Sequence, residues 1–217
     1  MRDAGGSLQA LAGSSAALVT LSAAIAAADA AVISREAERA LERGVTPAAL
    51  YETTLQSYLF VGFPRAIEAF FAVRSVLERA GWNAPEAARP DPERWRREGD
   101  ALCRLVYGRN FERLLETMRG LSPDLAEWMI LQGYGMTLSR PGLSAADREY
   151  AVVAILTVTR MWRQLRSHAI GAVHVGGTRA GVREAIGLCA PFTGAGTVDE
   201  ALRVAGLENE EGNGARR

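Results

Sequence analysis

The chain matches itself. Residues 44–70 align without a gap on residues 176–202, and eight of the 27 columns are identical: Gly44/Gly176, Thr46/Thr178, Ala48/Ala180, Glu52/Glu184, Phe60/Phe192, Gly62/Gly194, Glu68/Glu200 and Ala69/Ala201. A repeat at an offset of 132 requires a fold that can be built twice in 217 residues, which restricts the architecture more than composition does. Both copies read alike. A Gly ends one helix, Thr46 or Thr178 caps the next, and a Gly-containing turn at 62 or 194 leads into a third. The Ala-rich segment 16–43 falls opposite 148–175. Residues 16–28 resemble the apolar stretch of a secretion signal, but Asp3 offsets Arg2 and the run is too short for a bilayer. The repeat makes it a core helix instead.

The remainder has the same texture. Leu102, Leu105 and Val106, then Leu114, Leu115 and Met118, recur at helical spacing within 99–119, and a second helical stretch covers 124–138. Ser122-Pro123-Asp124 reads as a helix start, and Pro141-Gly142-Leu143-Ser144 as a turn followed by a cap. The single β-branched run, Val152 to Thr159, has no hairpin turn beside it. The fold class is all-α. The expected organisation is an N-terminal arm (1–14), a structural half-repeat (15–80), a Pro-rich connector (81–98), a second domain (99–205) and a polar, Gly-rich disordered tail (206–217).

Charge and residue types then exclude whole chemistries. Twenty-five basic residues balance 25 acidic ones, so neither a nucleic-acid nor a membrane partner is expected. Every basic residue is Arg. With no Lys there is no Schiff-base nucleophile, no pyridoxal anchor and no phosphate-loop lysine. The groups that remain are two His and two Cys. Cys103 and Cys189 lie too far apart for a CxxC pair or a zinc knuckle, and read as buried small hydrophobes in a reducing, cytoplasmic protein. From Met161 onward, helical spacing puts Met161, Leu165, His168, Ala169 and Ala172 on one face with Gln164 at its edge; Arg160, Arg163 and Arg166 point away. His168 therefore sits on an apolar stripe, where burial demands a hydrogen-bond partner. His174 lies beside the Gly176-Gly177 helix end and reads as a surface or capping residue. The six-residue spacing of the two His excludes the i, i+4 zinc pair, and no metal site is expected.

The pieces SPDL (122–125), YG (134–135), RPGLS (140–144), RE (148–149), QLRSH (164–168) and the GGT…E…G series (176–194) occur in an order that resembles the carboxymuconolactone decarboxylase family, relatives of the alkylhydroperoxidase D-type proteins. The resemblance implies a helical bundle of that type, here with an internal tandem repeat. The peroxidase branch carries a Glu, a CxxC pair and a His four residues beyond it. Mapped here, Glu149 and His168 take the acid and the histidine, while Met161 and Gln164 stand in the cysteine positions. Dithiol peroxide reduction is thus disabled. The first copy holds Ala17 and Glu36 in the columns of Glu149 and His168.

The resemblance implies a cofactor-independent lyase acting on a small carboxylate or lactone from aromatic-compound breakdown. His168 and Glu149 would be the acid–base pair, Gln164, Met161 and Tyr134 would line the pocket, and relatives imply a homo-oligomer, a trimer or a multiple of three. Two alternatives stand beside it: a peroxidase-type activity using a lone Cys, and a non-catalytic helical assembly module. Glu149 and His168 are 19 positions apart, about 28 Å along an unbroken helix, so the pair requires the chain to turn between them, near Thr157–Thr159.

Overall fold

The computed structural model describes residues 10–27, 29–87 and 89–207. The arm's first nine residues and the tail from Glu208 onward lie outside these. Helices α1 (Gly13–Ala27), α2 (Ala30–Glu42), α3 (Pro47–Gln56) and α4 (Tyr58–Arg79) form the first half. Helices α5 (Pro92–Tyr107), α6 (Phe111–Leu121) and α7 (Pro123–Trp128) follow, α7 running directly into a π-helix, Met129–Leu138. The last set is α8 (Ala145–Val158), α9 (Trp162–His174), α10 (Arg179–Gly187), α11 (Ala190–Thr193) and α12 (Ala195–Val204). No strand occurs among the described residues.

The element bounds keep the register of the internal match. Gly13, Ala30, Pro47 and Tyr58, which open α1 to α4, have Ala145, Trp162, Arg179 and Ala190 as their counterparts, and these open α8 to α11. Thr46 and Thr178 each accept a hydrogen bond from a backbone N–H three residues on, at 3.1 and 2.9 Å. Gly62 (φ 79°, ψ 164°) and Gly194 (φ 83°, ψ 158°) adopt the same conformation, one that side-chain-bearing residues rarely take. In both halves the chain is helical on either side of this kink, and in the first half Pro64 follows it, at a helical φ that suits its ring.

Two helices form the shared wall between halves. In α8, ten consecutive residues from Arg148 to Thr157 are buried, and α1 is buried on most of its circumference. Leu11, Ala16, Val19 and Ala23 pack into one core with α8, α9, α10 and α12, while Ala17, Leu18, Leu21, Ala24 and Ile25 pack into a second with α2, α3 and α4. The Ala-rich composition of α1 allows this close approach on both sides. A third, smaller core joins Cys103, Val106, Phe111, Leu115, Ile130, Tyr134 and Leu138 from α5, α6 and the π-helix.

Two expectations are corrected here. The Pro-rich connector does not extend to residue 98. Asp91 caps α5, accepting from the Arg94 N–H at 3.0 Å, and Pro92 occupies the first turn, where its lack of an N–H costs nothing. The helical stretch 99–119 is interrupted by a 3-10 turn, Gly108–Asn110, with Gly108 at φ 53°.

Candidate functional site

The site is assembled by the break between α8 and α9. Ser144 starts α8, accepting from the Asp147 N–H at 3.0 Å and donating to the Asp147 carboxylate at 2.6 Å. The helix ends where Thr157 and Thr159 turn their hydroxyls back onto the Val153 and Ile155 carbonyls, both at 2.8 Å, and Arg160 takes a left-handed conformation (φ 57°). The Met161 N–H closes the turn on the Leu156 carbonyl at 3.0 Å, and α9 returns alongside α8. This reversal brings the two residues 19 positions apart together. The Nδ1–H of His168 donates to Oε2 of Glu149 at 2.8 Å. His168 is 6% exposed and Glu149 3%. With Nδ1 committed to the carboxylate, Nε2 is the ring atom left for exchange, and it makes no hydrogen bond among the described residues.

The wall around the pair comes from three directions. Phe60, from the first half, presents its ring edge-on to the imidazole at 5.7 Å between centroids and 88° between planes. Gly171 lies one turn beyond His168 on α9; a Cβ there would stand 2.6 Å from Val106 Cγ1 and 3.3 Å from Glu149 Oε2, so its absence lets α5 close against the acid. On that side stand Cys103, Tyr107 and Tyr134, and the two phenol rings meet at 6.3 Å and 77°. Burial, then the charges of Asp100 and Glu149, pushes the Cys103 thiol up to about 12. Burial pushes the Tyr107 phenol to about 12 and raises Tyr134 well above the ordinary range, with Glu149 contributing to both. Cys103, Tyr107 and Tyr134 therefore remain protonated at neutral pH.

Other sequence-predicted residues are placed differently. Met161, half exposed, sits at the N-terminus of α9, and Gln164 is exposed in its first turn, so both lie outside the buried layer that holds His168, Leu165, Ala169 and Ala172. Arg163 and Arg166 face solvent, while Arg160 donates to Thr197 Oγ1 at 3.0 Å. His174 Nδ1–H donates to the Val106 carbonyl at 2.7 Å, tying the end of α9 to the end of α5. Cys189 is fully buried, and burial holds its thiol at about 12. No group of three or more His, Cys, Asp or Glu among the described residues is arranged to hold a metal.

Gly171 and Tyr107 escaped the sequence reading, which marks Phe60 and Cys103 without placing them at the site. For Phe60 a signal existed, since it is one of the identical columns of the repeat; its counterpart Phe192 packs against both large cores. The others become neighbours only through packing of α5 on α9.

A second buried cluster fixes α8 in place. Glu52 on α3 accepts from Arg140 Nε at 3.0 Å and Nη2 at 2.8 Å, and from Arg148 Nη2 at 3.0 Å. Arg148 also donates to Gln56 Oε1 at 3.0 Å and to the Arg140 carbonyl at 2.8 Å. Burial lowers the Arg148 pKa, against the opposing pull of Glu52, whereas the more open Arg140 is raised by its bonds to that carboxylate. The register of Glu149 follows from this clamp on its neighbour. The equivalent residue in the second half, Glu184, binds backbone instead, accepting from the Ala10 and Leu11 N–H groups at 2.7 and 2.9 Å.

The family model of the carboxymuconolactone decarboxylase family matches residues 123–206, a span that starts at α7 and takes in the π-helix, Glu149 and His168. Peroxisomal protein 2 of Schizosaccharomyces pombe is 29% identical over 164 residues, covering 70% of this chain and 72% of that protein. Over residues 123–206, then, the chain is similar to the carboxymuconolactone decarboxylase family.

Proposed function

We propose that the protein is a cofactor-independent lyase that removes CO2 from a small carboxylate or lactone, with His168 as the proton donor and Glu149 as the group that orients it. The observation that carries this reading is the buried 2.8 Å bond between them, made across a chain reversal and leaving Nε2 uncommitted. Decarboxylation breaks a carbon–carbon bond and sends its electron pair into a conjugated carbonyl; a proton must then return to carbon. His168 delivers that proton through Nε2, while the Glu149 carboxylate bonded to Nδ1 fixes the ring's tautomer and orientation. Residues 15–80 serve as a structural half that contributes Phe60 to the site.

The test is CO2 release from a panel of unsaturated lactone carboxylates. Turnover of at least one, with kcat lowered about 10²–10⁴-fold by His168→Gln, is expected. Turnover unaffected by His168→Gln would overturn the assignment. The lone-thiol alternative is disfavoured because both thiols are held near 12 and fully buried.

We expect a homo-oligomer as well. Phe63, Ile67 and Phe71, four residues apart on α4, stay exposed beside an aromatic cavity of about 420 Å³ lined by Tyr51, Phe70 and Trp82. No helix among the described residues is long and apolar enough to cross a membrane. The name of the yeast relative adds a peroxisomal location to the cytoplasmic one expected from the free thiols, and fluorescence microscopy of the tagged chain decides between them.

A further inference from the structure

The first half holds a cavity that the acid–base chemistry does not use. Helix α4 ends before Gly81 (φ 71°), and the Gly81 and Trp82 N–H groups close that turn on the Glu78 and Leu77 carbonyls, both at 3.0 Å. The turn sets the Trp82 ring against Tyr51 of α3, at 6.1 Å and 45°, and Tyr51 in turn meets Phe70 at 5.5 Å and 57°. Tyr51, Phe70 and Trp82 are partly buried and Leu77 is buried. Together they floor a cavity of about 420 Å³, with Arg74 and Glu78 on its exposed rim. Small-molecule sites have this size and this mostly apolar lining. The fold does not require the aromatic floor. In the other copy the columns of Tyr51, Phe70 and the rim residue Ile67 hold Arg183, Leu202 and Asp199, yet α10 and α12 form there as α3 and α4 do here.

Two polar features narrow what fits. Arg74 Nε donates to Glu78 Oε1 at 2.7 Å, so the rim pairs its own charges and offers no net charge to an ionised molecule. The Trp82 Nε1–H is buried and has no hydrogen-bond partner among the described residues. A buried donor left in that state is costly, and an acceptor on a bound molecule relieves it. We propose that the cavity binds a neutral, planar aromatic molecule that carries a hydrogen-bond acceptor, its rings against Tyr51, Phe70 and Trp82 and its acceptor on the Trp82 Nε1–H. Aromatic rings favour edge-on or offset partners, and the mutually tilted floor presents both to a flat guest. The site is built from α3, α4 and the turn after α4, outside residues 123–206. It stands whether or not His168 and Glu149 act as described above.

The probe is 6-propionyl-2-(dimethylamino)naphthalene, a neutral planar naphthalene with a single carbonyl, whose emission moves to the blue on leaving water. Wild-type protein is expected to bind it saturably with a blue shift, at the same strength whatever the state of assembly. Tyr51→Ala should weaken binding about tenfold or more. Trp82→Phe, which keeps a ring and loses the N–H, should weaken it about 2–10-fold, yet leave 2-(dimethylamino)naphthalene, a competitor without the carbonyl, within about twofold. Trp128→Ser, at an exposed apolar position on α7, should alter neither, and His168→Gln should bind as the wild type does. Absence of saturable binding by the wild type, or wild-type binding by Tyr51→Ala, overturns the proposal. Loss of binding in Trp128→Ser or His168→Gln overturns it as well, by placing the probe on another surface. Binding that fades as protein concentration and light-scattering mass rise together gives the cavity to a second copy, with the same result. Equal affinity of Trp82→Phe and wild type for the carbonyl probe overturns the acceptor assignment. Circular dichroism checks the fold of each variant, and Trp82→Phe with its competitor decides the matter if Tyr51→Ala does not fold.

Discussion

Gly171 shows how much a single missing methyl group decides. An Ala there must displace Val106 or Glu149, and overpacking of this kind costs about 1–3 kcal/mol. Gly171→Ala should therefore lower the melting temperature and, by moving the carboxylate, cut turnover more than its stability loss accounts for; a melt and an assay on the same sample check both. The thiols give a pH signature. Cys103 and Cys189 titrate near 12 when folded against an ordinary 9.0, so the unfolded chain loses those protons first. Their contribution to stability is intact below about pH 9 and declines as pH rises toward 12, with Tyr107 adding to the fall above about 10. Urea midpoints should hold between about pH 7 and 8.5 and drop at about 10. A thiol reagent at neutral pH should find neither Cys until the chain is denatured. Much at this scale was legible in the sequence: Thr46, Thr178, Ser122 and Ser144 announce the caps they form, because capping depends on neighbours within one turn.

Elements were less uniformly legible. Helical periodicity identifies α1 as a core helix but not the π-helix, whose extra residue per turn follows from its fit against Gly99 and Trp95 on α5. The same limit hid the packing of α5 on α9, which sets Val106 against Gly171. The Glu52–Arg148 clamp was equally unreadable, since its partners stand 96 positions apart. Removing its charge tests how firmly α3 holds α8. Glu52→Gln leaves a buried guanidinium without its counter-ion and should destabilise by about 3–5 kcal/mol in urea unfolding. On the shared wall, Leu21→Ala should cost about 2–5 kcal/mol, because α1 is enclosed and its neighbours can relax only partly.

At the scale of the whole molecule, the two halves share α1 and α8 and are joined through residues 82–91, which carry no regular structure where described. Proteolytic cleavage there should leave both fragments together on size exclusion. The apolar stripe of α4 carries the assembly expectation: light scattering should give a multiple of the 23.3 kDa chain, and Ile67→Glu should reduce it to one. The crossing of Phe60 onto His168 has a further consequence. In an assembly of identical halves, each substitution is made twice and must suit both places at once. Linking the halves in one polypeptide lifts that constraint, and the two Phe positions become separately mutable. Phe60→Leu should then impair turnover while Phe192→Leu, beside a half that holds Ala17 and Glu36, changes only stability.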